Sequence, residues 1–260
     1  MTESETTQQQ TSFNVLLIGD SCIDRYFIGT CDRLSPEAPV PVMKIVEDYS
    51  TLGMAANVHR NLKGLGIDAD FITNSEEIVK TRFIDERSGQ HLLRVDKEPE
   101  IAPWSGRVVL PYSTYDAVVI SDYNKGFLTY EHIETIRREF SGPIFIDTKK
   151  TDLARFECCF IKINSLEYSQ ANSFPEGVPS GLIVTMGKAG ARYNDTLYPA
   201  PSVEVVDVCG AGDTFLAALV YKYLNTTNIE SAIKFANLAS SITVTHRGVY
   251  APTLEEVMRD

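Results

Sequence analysis

Short, uninterrupted apolar runs that each stop at a polar residue constrain this chain more than any other feature. Phe13–Gly19 ends at Gly-Asp, Tyr115–Asp122 ends at Ser-Asp, Pro143–Lys150 carries Ile144-Phe145-Ile146 into Asp147, and Cys159–Asn164 stops at an asparagine. Runs this short and this apolar, without polar alternation, read as strands covered on both faces. Asp70–Asn74 is a further short strand, and Ser180–Ala191 is a strand with a glycine-bearing turn. Between these runs lie stretches with helical spacing. Asn57–Leu65 stops at Gly66, Thr129 caps a helix running to Phe140, Thr214–Leu224 is apolar and periodic, Ile229–Ser241 has one apolar face, and Thr253–Val257 closes the chain with a helix turn. Strands alternating with helices imply an α/β fold with a doubly wound, mostly parallel sheet, whose ligands gather at the carboxyl ends of the strands.

Composition enters as a set of exclusions. A length of 260 residues suits one large domain of this kind, expected over 13–260, with the polar, acidic segment 1–12 a disordered tail. A net charge of -11 argues against nucleic acid or an anionic membrane as partner. The cysteines, Cys22, Cys31, Cys158, Cys159 and Cys209, form no Cys-x-x-Cys pair, which favours a reduced, cytoplasmic setting and disfavours structural zinc. No signal peptide and no apolar run of membrane-spanning length is expected.

The chemistry concentrates in Val206-Asp207-Val208-Cys209-Gly210-Ala211-Gly212-Asp213-Thr214-Phe215. Glycines at the start of an apolar helix leave unpaired backbone N–H groups and the positive helix end facing whatever lies before Gly210, Ala211 and Gly212, which makes an anion site. Asp213 is then either a helix cap or a base beside the anion.

Asp followed by Gly-Ala-Gly-Asp-Thr-Phe resembles the C-terminal signature of the ribokinase, or PfkB, family of sugar kinases. The resemblance implies a ribokinase-like fold with a small β lid near 40–50 and 80–96, ATP and Mg2+ as cofactors, Asp213 as the base on the acceptor hydroxyl, and Gly210, Ala211 and Gly212 as the anion turn. Gly19-Asp20-Ser21-Cys22-Ile23-Asp24-Arg25-Tyr26 and the proline-rich Leu34–Val42 are similar to one branch, the D-glycero-β-D-manno-heptose 7-phosphate kinases. On that pattern Asp20 and Asp24 grip the sugar; turn formation and capping are the alternative for both.

The other matches follow in family order. Leu52-Gly53-Met54-Ala55-Ala56-Asn57 resembles the Gly-Gly-x-x-Asn sugar site, with Gly53 allowing close approach, Asn57 bonding hydroxyls, and Met54 standing where the family has its second glycine. A helix-strand-helix unit expected after Asn74 is missing. Lys80, Arg82 and Arg94, on a hairpin around Arg87-Ser88-Gly89-Gln90, resemble residues that hold a sugar phosphate, with a solvated face as the alternative. Asp122 and Lys125, in Ser-Asp-Tyr-x-Lys-Gly-x-Leu-Thr, are candidates for sugar and phosphate contact. Asn164 and Glu167 match Asn-x-x-Glu and would order water around Mg2+. Thr185, Gly187 and Gly190 resemble the nucleotide-binding Thr-x-Gly-x-x-Gly, which is not a Walker A loop. Asp207 would work with Mg2+ or the anion turn, Asn237 would lie near the adenine, and His246 has no identifiable partner.

The resemblance therefore implies transfer of the γ-phosphoryl of ATP to the anomeric hydroxyl of a heptose 7-phosphate. A kinase for another sugar or sugar phosphate and a non-catalytic binding relative are the rivals. It also implies a homodimer through the lid and a separate nucleotidyltransferase for the next step, because in this branch the kinase is often fused to one and this chain ends where the kinase would end.

Overall fold

The apolar runs assemble into the centre of an eight-stranded sheet, the larger of two sheets in the protein. The computed structural model describes residues 13–108, 110–176 and 181–259, and the expected tail over 1–12 lies outside them. In chain order the elements are β1 (Val15–Gly19), β2 (Ser21–Leu34), β3 (Pro41–Met54), α1 (Ala55–Gly64), β4 (Asp70–Thr73), β5 (Ile78–Asp85), β6 (His91–Lys97) and β7 (Ala117–Asp122). Then come α2 (Tyr130–Glu139), β8 (Ile144–Thr148), β9 (Phe160–Asn164), α3 (Ser165–Gln170), β10 (Leu182–Thr185), β11 (Ala191–Tyr193), β12 (Thr196–Tyr198), α4 (Ala211–Thr226), α5 (Ile229–Thr243) and α6 (Leu254–Arg259). The large sheet runs β12-β11-β10-β9-β8-β7-β1-β4, parallel from β4 to β10 with an antiparallel hairpin at the far edge.

Strand alternation divides the core into two layers. Leu17, Val119 and Phe145 face α1, α4 and α5, while Leu16, Ile18, Val118 and Ile120 face α2 with Ile133 and Ile136. Each of these side chains contributes roughly 1.5–3 kcal/mol by leaving water, so strands wet on neither face are the stable outcome of the pattern. Helix α4 is apolar around its circumference, and every residue from Phe215 to Val220 is buried, because it lies between the sheet and α5. Thr129 does cap α2: its side chain accepts from the His132 N–H, and the His132 ring answers the Thr129 N–H.

The lid is a four-stranded sheet in the order β3-β2-β5-β6. The expected segments near 40–50 and 80–96 supply β3, β5 and β6. The stretch after Asp20, where a sugar grip was expected with turn formation and capping as the alternative, continues as β2, the lid's long inner strand, paired antiparallel to β3 and parallel to β5. Only residues 74–77 join β4 to β5, and β4 forms an edge of the large sheet, as expected if a peripheral unit is missing. At the junction of β3 and α1, Met54 sits at φ 58, ψ -135, a region that glycine occupies freely and a side chain does not.

Candidate active site

Two cavities meet at the N-terminus of α4. Gly210, the helix cap, is left-handed at φ 79, and a Cβ there would lie 2.8 Å from Val249 Cγ1 and 2.9 Å from Asn57 Nδ2. Glycine thus lets the turn close against α1, and the N–H groups of the first helical turn have no acceptor of their own within the helix. On one side a cavity of about 380 Å³ is lined by Thr185, Gly187, Gly190, Ala211, Gly212 and Asn237, among others. Every one of these was expected on the nucleotide or the anion turn. On the other side a cavity of about 150 Å³ is lined by Asp24, Gly53, Arg82, Gly210 and Asp213, joined by Cys22, Tyr26, Met54, Lys80, Tyr123 and Cys209.

Asp213 belongs to the first turn of α4 and faces the smaller cavity. Asn57 Nδ2 donates to its Oδ2 at 2.8 Å, and the Tyr123 hydroxyl donates to its Oδ1 at 2.9 Å. Both oxygens are thereby oriented, and each keeps a lone pair for an incoming hydroxyl. Burial raises the Asp213 pKa to about 6; Asp147 adds to the rise, while hydrogen bonds from Asn57 and Tyr123 and the Lys162 ammonium restrain it. A carboxylate poised near neutrality is suited to general-base work. Burial, and then the Asp213 charge, keep the Tyr123 hydroxyl well above its ordinary pKa, so it remains a donor.

The lid supplies a wall of the smaller cavity by strand period. Cys22, Asp24 and Tyr26 alternate on β2, Lys80 and Arg82 alternate on β5, and the register sets Asp24 beside Lys80 and Tyr26 beside Arg82. Arg82 Nη1 lies 2.5 Å from Asp24 Oδ1. Gly53 permits this packing, since a Cβ there would fall 2.1 Å from Asp24 Oδ2.

Several expected ligands have other uses. Asp20 is fully buried, and its Oδ2 accepts from the N–H groups of Tyr123 at 2.7 Å and Lys125 at 3.5 Å, so it clamps the loop after β7. Asp122 accepts from the Thr148 hydroxyl at 2.6 Å and from the Asn124 N–H at 3.0 Å, with Lys150 Nζ at 3.3 Å, which ties the loops after β7 and β8 together. The alternative of turn organisation therefore describes Asp20, and an ion pair within the loops describes Asp122. Asn57 is likewise buried and orients Asp213, where a bond to a sugar hydroxyl was expected. Lys125 pairs with Glu98, and Arg94 makes a two-point pair with Asp96 on the exposed part of β6; neither lines the cavity. Asp207 accepts from the N–H groups of Cys209 at 2.9 Å and Gly248 at 2.9 Å. Burial opposes its charge, but these donors outweigh it and hold the carboxyl below its ordinary pKa, as befits a brace for the anion turn. His246 stacks on Tyr250, a partner that no sequence spacing announced.

Asn164 and Glu167 form a reciprocal cap on α3: Asn164 Oδ1 accepts from the Glu167 N–H at 2.9 Å, and Glu167 Oε2 accepts from the Asn164 N–H at 2.7 Å. Glu167 Oε1 meets the Lys149 ammonium. Among the described residues no cluster of three or more His, Cys, Asp or Glu side chains could cage a metal. One carboxylate and one amide, both already engaged, fit a hydrated Mg2+ held through its waters better than one stripped of them.

Sequence reasoning passed over two parts of this centre. Tyr123 stood inside a matched motif without a role, and the buried pair Lys162–Asp147 had no local signal, because only strand register brings the two together.

Known proteins resemble this chain in sequence and in fold. Residues 162–256 match the model of the pfkB family carbohydrate kinases. The chain is 34% identical to the bifunctional protein HldE of Nitratiruptor sp. over 295 aligned positions, covering 94% of this chain and 64% of that protein. It is 32% identical to HldE of Caulobacter vibrioides, covering 94% and 62%. The chain thus spans less than two thirds of these curated relatives. Because 295 aligned positions exceed the 260 residues present, the alignment leaves gaps in this chain. In fold it resembles ribokinase from Thermotoga maritima, with a TM-score of 0.70, 17% identity, and coverage of 95% of this chain and 98% of that one. Arabidopsis thaliana ribokinase, solved with ribose and ATP, gives 0.69, 14%, 96% and 98%.

Proposed function

From the premise that this chain carries a pfkB-family carbohydrate kinase domain, we propose that it transfers the γ-phosphoryl group of ATP to the anomeric hydroxyl of a heptose 7-phosphate. The observation that carries this reading is Asp213, oriented by Asn57 and Tyr123 where a nucleotide-sized cavity and a lid-covered cavity meet. ATP occupies the larger cavity, with its adenine toward Asn237 and its phosphates toward Gly210, Ala211 and Gly212. Asn164 and Glu167 would hold the waters of Mg2+, which would supply neutralisation of phosphate charge. The sugar lies under the lid between Asp24, Gly53 and Asp213, and Lys80 and Arg82 meet its phosphate. Asp213 takes the proton from the acceptor hydroxyl while the N–H groups of the helix start receive the charge of the transferring group.

The test is ADP release with D-glycero-D-manno-heptose 7-phosphate beside fructose, ribose and their phosphates. Turnover of the heptose phosphate alone supports the reading, and preference for another sugar replaces it with the broader one. Met54 favours that second reading, because it puts a side chain into the wall of the acceptor cavity.

The proposed homodimer forms through the lid, whose Val46, Leu52, Leu93 and Val95 are exposed. Light scattering tests it, and a monomer at working concentration would refute it. A cytoplasmic location, and a nucleotidyltransferase acting on the product, belong to the same proposal. No helix among the described residues is long and apolar enough to cross a membrane.

A further inference from the structure

Lys162, at the middle of β9, and Asp147, one residue from the end of β8, face each other across these adjacent parallel strands. Strand alternation turns both toward the layer that holds α4: Phe145, two residues before Asp147, packs in that layer, whereas Ile161 and Ile163 pack in the other. Lys162 Nζ donates to Asp147 Oδ2 at 2.6 Å, and both side chains are about 95% buried, with exposures of 5% and 6%. An ion pair this deep is a weak source of stability, because removing two charges from water offsets most of their attraction. Its location gives it another use.

A Cβ on Gly212 would lie 2.8 Å from Lys162 Nζ, so the ammonium is packed directly against the anion turn, and glycine at 212 is what lets it approach. Gly212 lines the nucleotide cavity, and its neighbour Asp213 lines the acceptor cavity. The ammonium, which carries three donors, gives one to Asp147 Oδ2, while Asp147 Oδ1 is buried with no partner among the described residues. The pair is thus asymmetric: its positive end touches the turn, and its negative end is set back on the neighbouring strand.

We propose that Lys162, held by Asp147, is a positioning residue whose fixed positive charge beneath Gly212 favours the terminal phosphoryl group of a bound nucleoside triphosphate. It adds to the field of the α4 N-terminus where that group is transferred. The inference rests on the kinase reading above, since it assigns the larger cavity to the nucleotide.

The experiment compares wild type, Lys162→Met and the double variant Lys162→Met/Asp147→Leu by calorimetric titration with ADP and with a non-hydrolysable ATP analogue, together with thermal unfolding and kcat and KM. Lys162→Met alone leaves Asp147 buried and unpaired and is expected to unfold at lower temperature; the double variant removes both charges and recovers stability. The inference expects the preference for the triphosphate analogue over ADP to fall about tenfold or more in the double variant, with ADP affinity little changed and the loss appearing in kcat. A double variant as stable as wild type that keeps the wild-type preference and kcat would overturn it and leave the pair a packing element. The two readings fail separately: absence of ADP release from every sugar defeats the kinase proposal, whereas an unchanged triphosphate preference defeats this one.

Discussion

The two cavities that meet at Asp213 are built by different means. The side proposed for the nucleotide is lined mainly by turns that are each local in sequence, Thr185–Gly190, Pro201–Val208 and the start of α4, with Asn237, Ser240 and Ser241 of α5 and Val244 just after it closing the cavity. The acceptor side is lined by long side chains from β2, β3, β5 and the loop after β7, and ion pairs and burial decide where those side chains point. A site made of turns tolerates change at a distance, while a site made of side chains from separate strands is re-specified by one substitution. Met54 is such a substitution, at a backbone angle that costs on the order of 1–3 kcal/mol for a side chain.

The sharpest way to break this comparison is Asp213→Asn, at a residue that lines the smaller cavity beside Gly212 of the larger one. It should lower kcat by roughly 100- to 10,000-fold while nucleotide affinity, measured by calorimetry, stays near wild type. Next in size is Gly210→Ala, whose new methyl group would meet Val249 and Asn57. By displacing the donor that orients Asp213 it should cost roughly 10- to 100-fold in kcat; an unchanged rate would mean that Asn57 is not needed where it stands.

A pH profile follows from the raised Asp213 pKa of about 6. The base is charged above that value, so kcat should fall about tenfold per pH unit below it. Stability runs the other way. Below an ordinary carboxyl pKa near 3.8 the group is protonated whether folded or unfolded, and as pH rises through about 6 its burial becomes a cost. Asp213→Asn should therefore unfold later than wild type at about pH 8, by on the order of 1–3 kcal/mol, and show no such gain near pH 4.

Met54→Gly addresses the acceptor side alone. Loss of a buried side chain, roughly 2–5 kcal/mol, is partly offset by relief of the backbone angle, so a modest fall in melting temperature is expected. The KM for the sugar should change and the KM for ATP should not. Its counterpart, Asn237→Ala, removes a 2.8 Å bond to the Tyr198 carbonyl beside the nucleotide cavity. It should raise the KM for ATP by about fivefold and leave the sugar untouched; a shift in sugar KM instead would erase the distinction between the two sides.

Legibility in the sequence follows the same division. The apolar runs became β1, β4, β7, β8, β9 and β10, and Thr185, Gly187 and Gly190 converge on one cavity, because a glycine turn or a strand end states its geometry within a few residues; Asn237 joins them from the middle of α5, where only helix packing places it. The smaller cavity was legible in part, through Asp24, Gly53, Arg82, Gly210 and Asp213, which line it. Asp24 and Arg82 reach the cavity, yet Asp20 and Asp122, with the same charge and similar strand-end positions, are taken up by loop N–H groups and by Thr148 and Lys150.

The sequence by itself determined the parallel sheet, the helix that begins at a glycine turn, and the carboxylate placed in its first turn, since periodicity and backbone freedom are properties of short segments. Tertiary structure alone decided which carboxylates line a cavity, that Asn57 and Tyr123 orient Asp213, and that Lys162 lies against Gly212. Those outcomes depend on strand register and on competition for hydrogen bonds between residues up to 156 positions apart, and a linear reading carries neither.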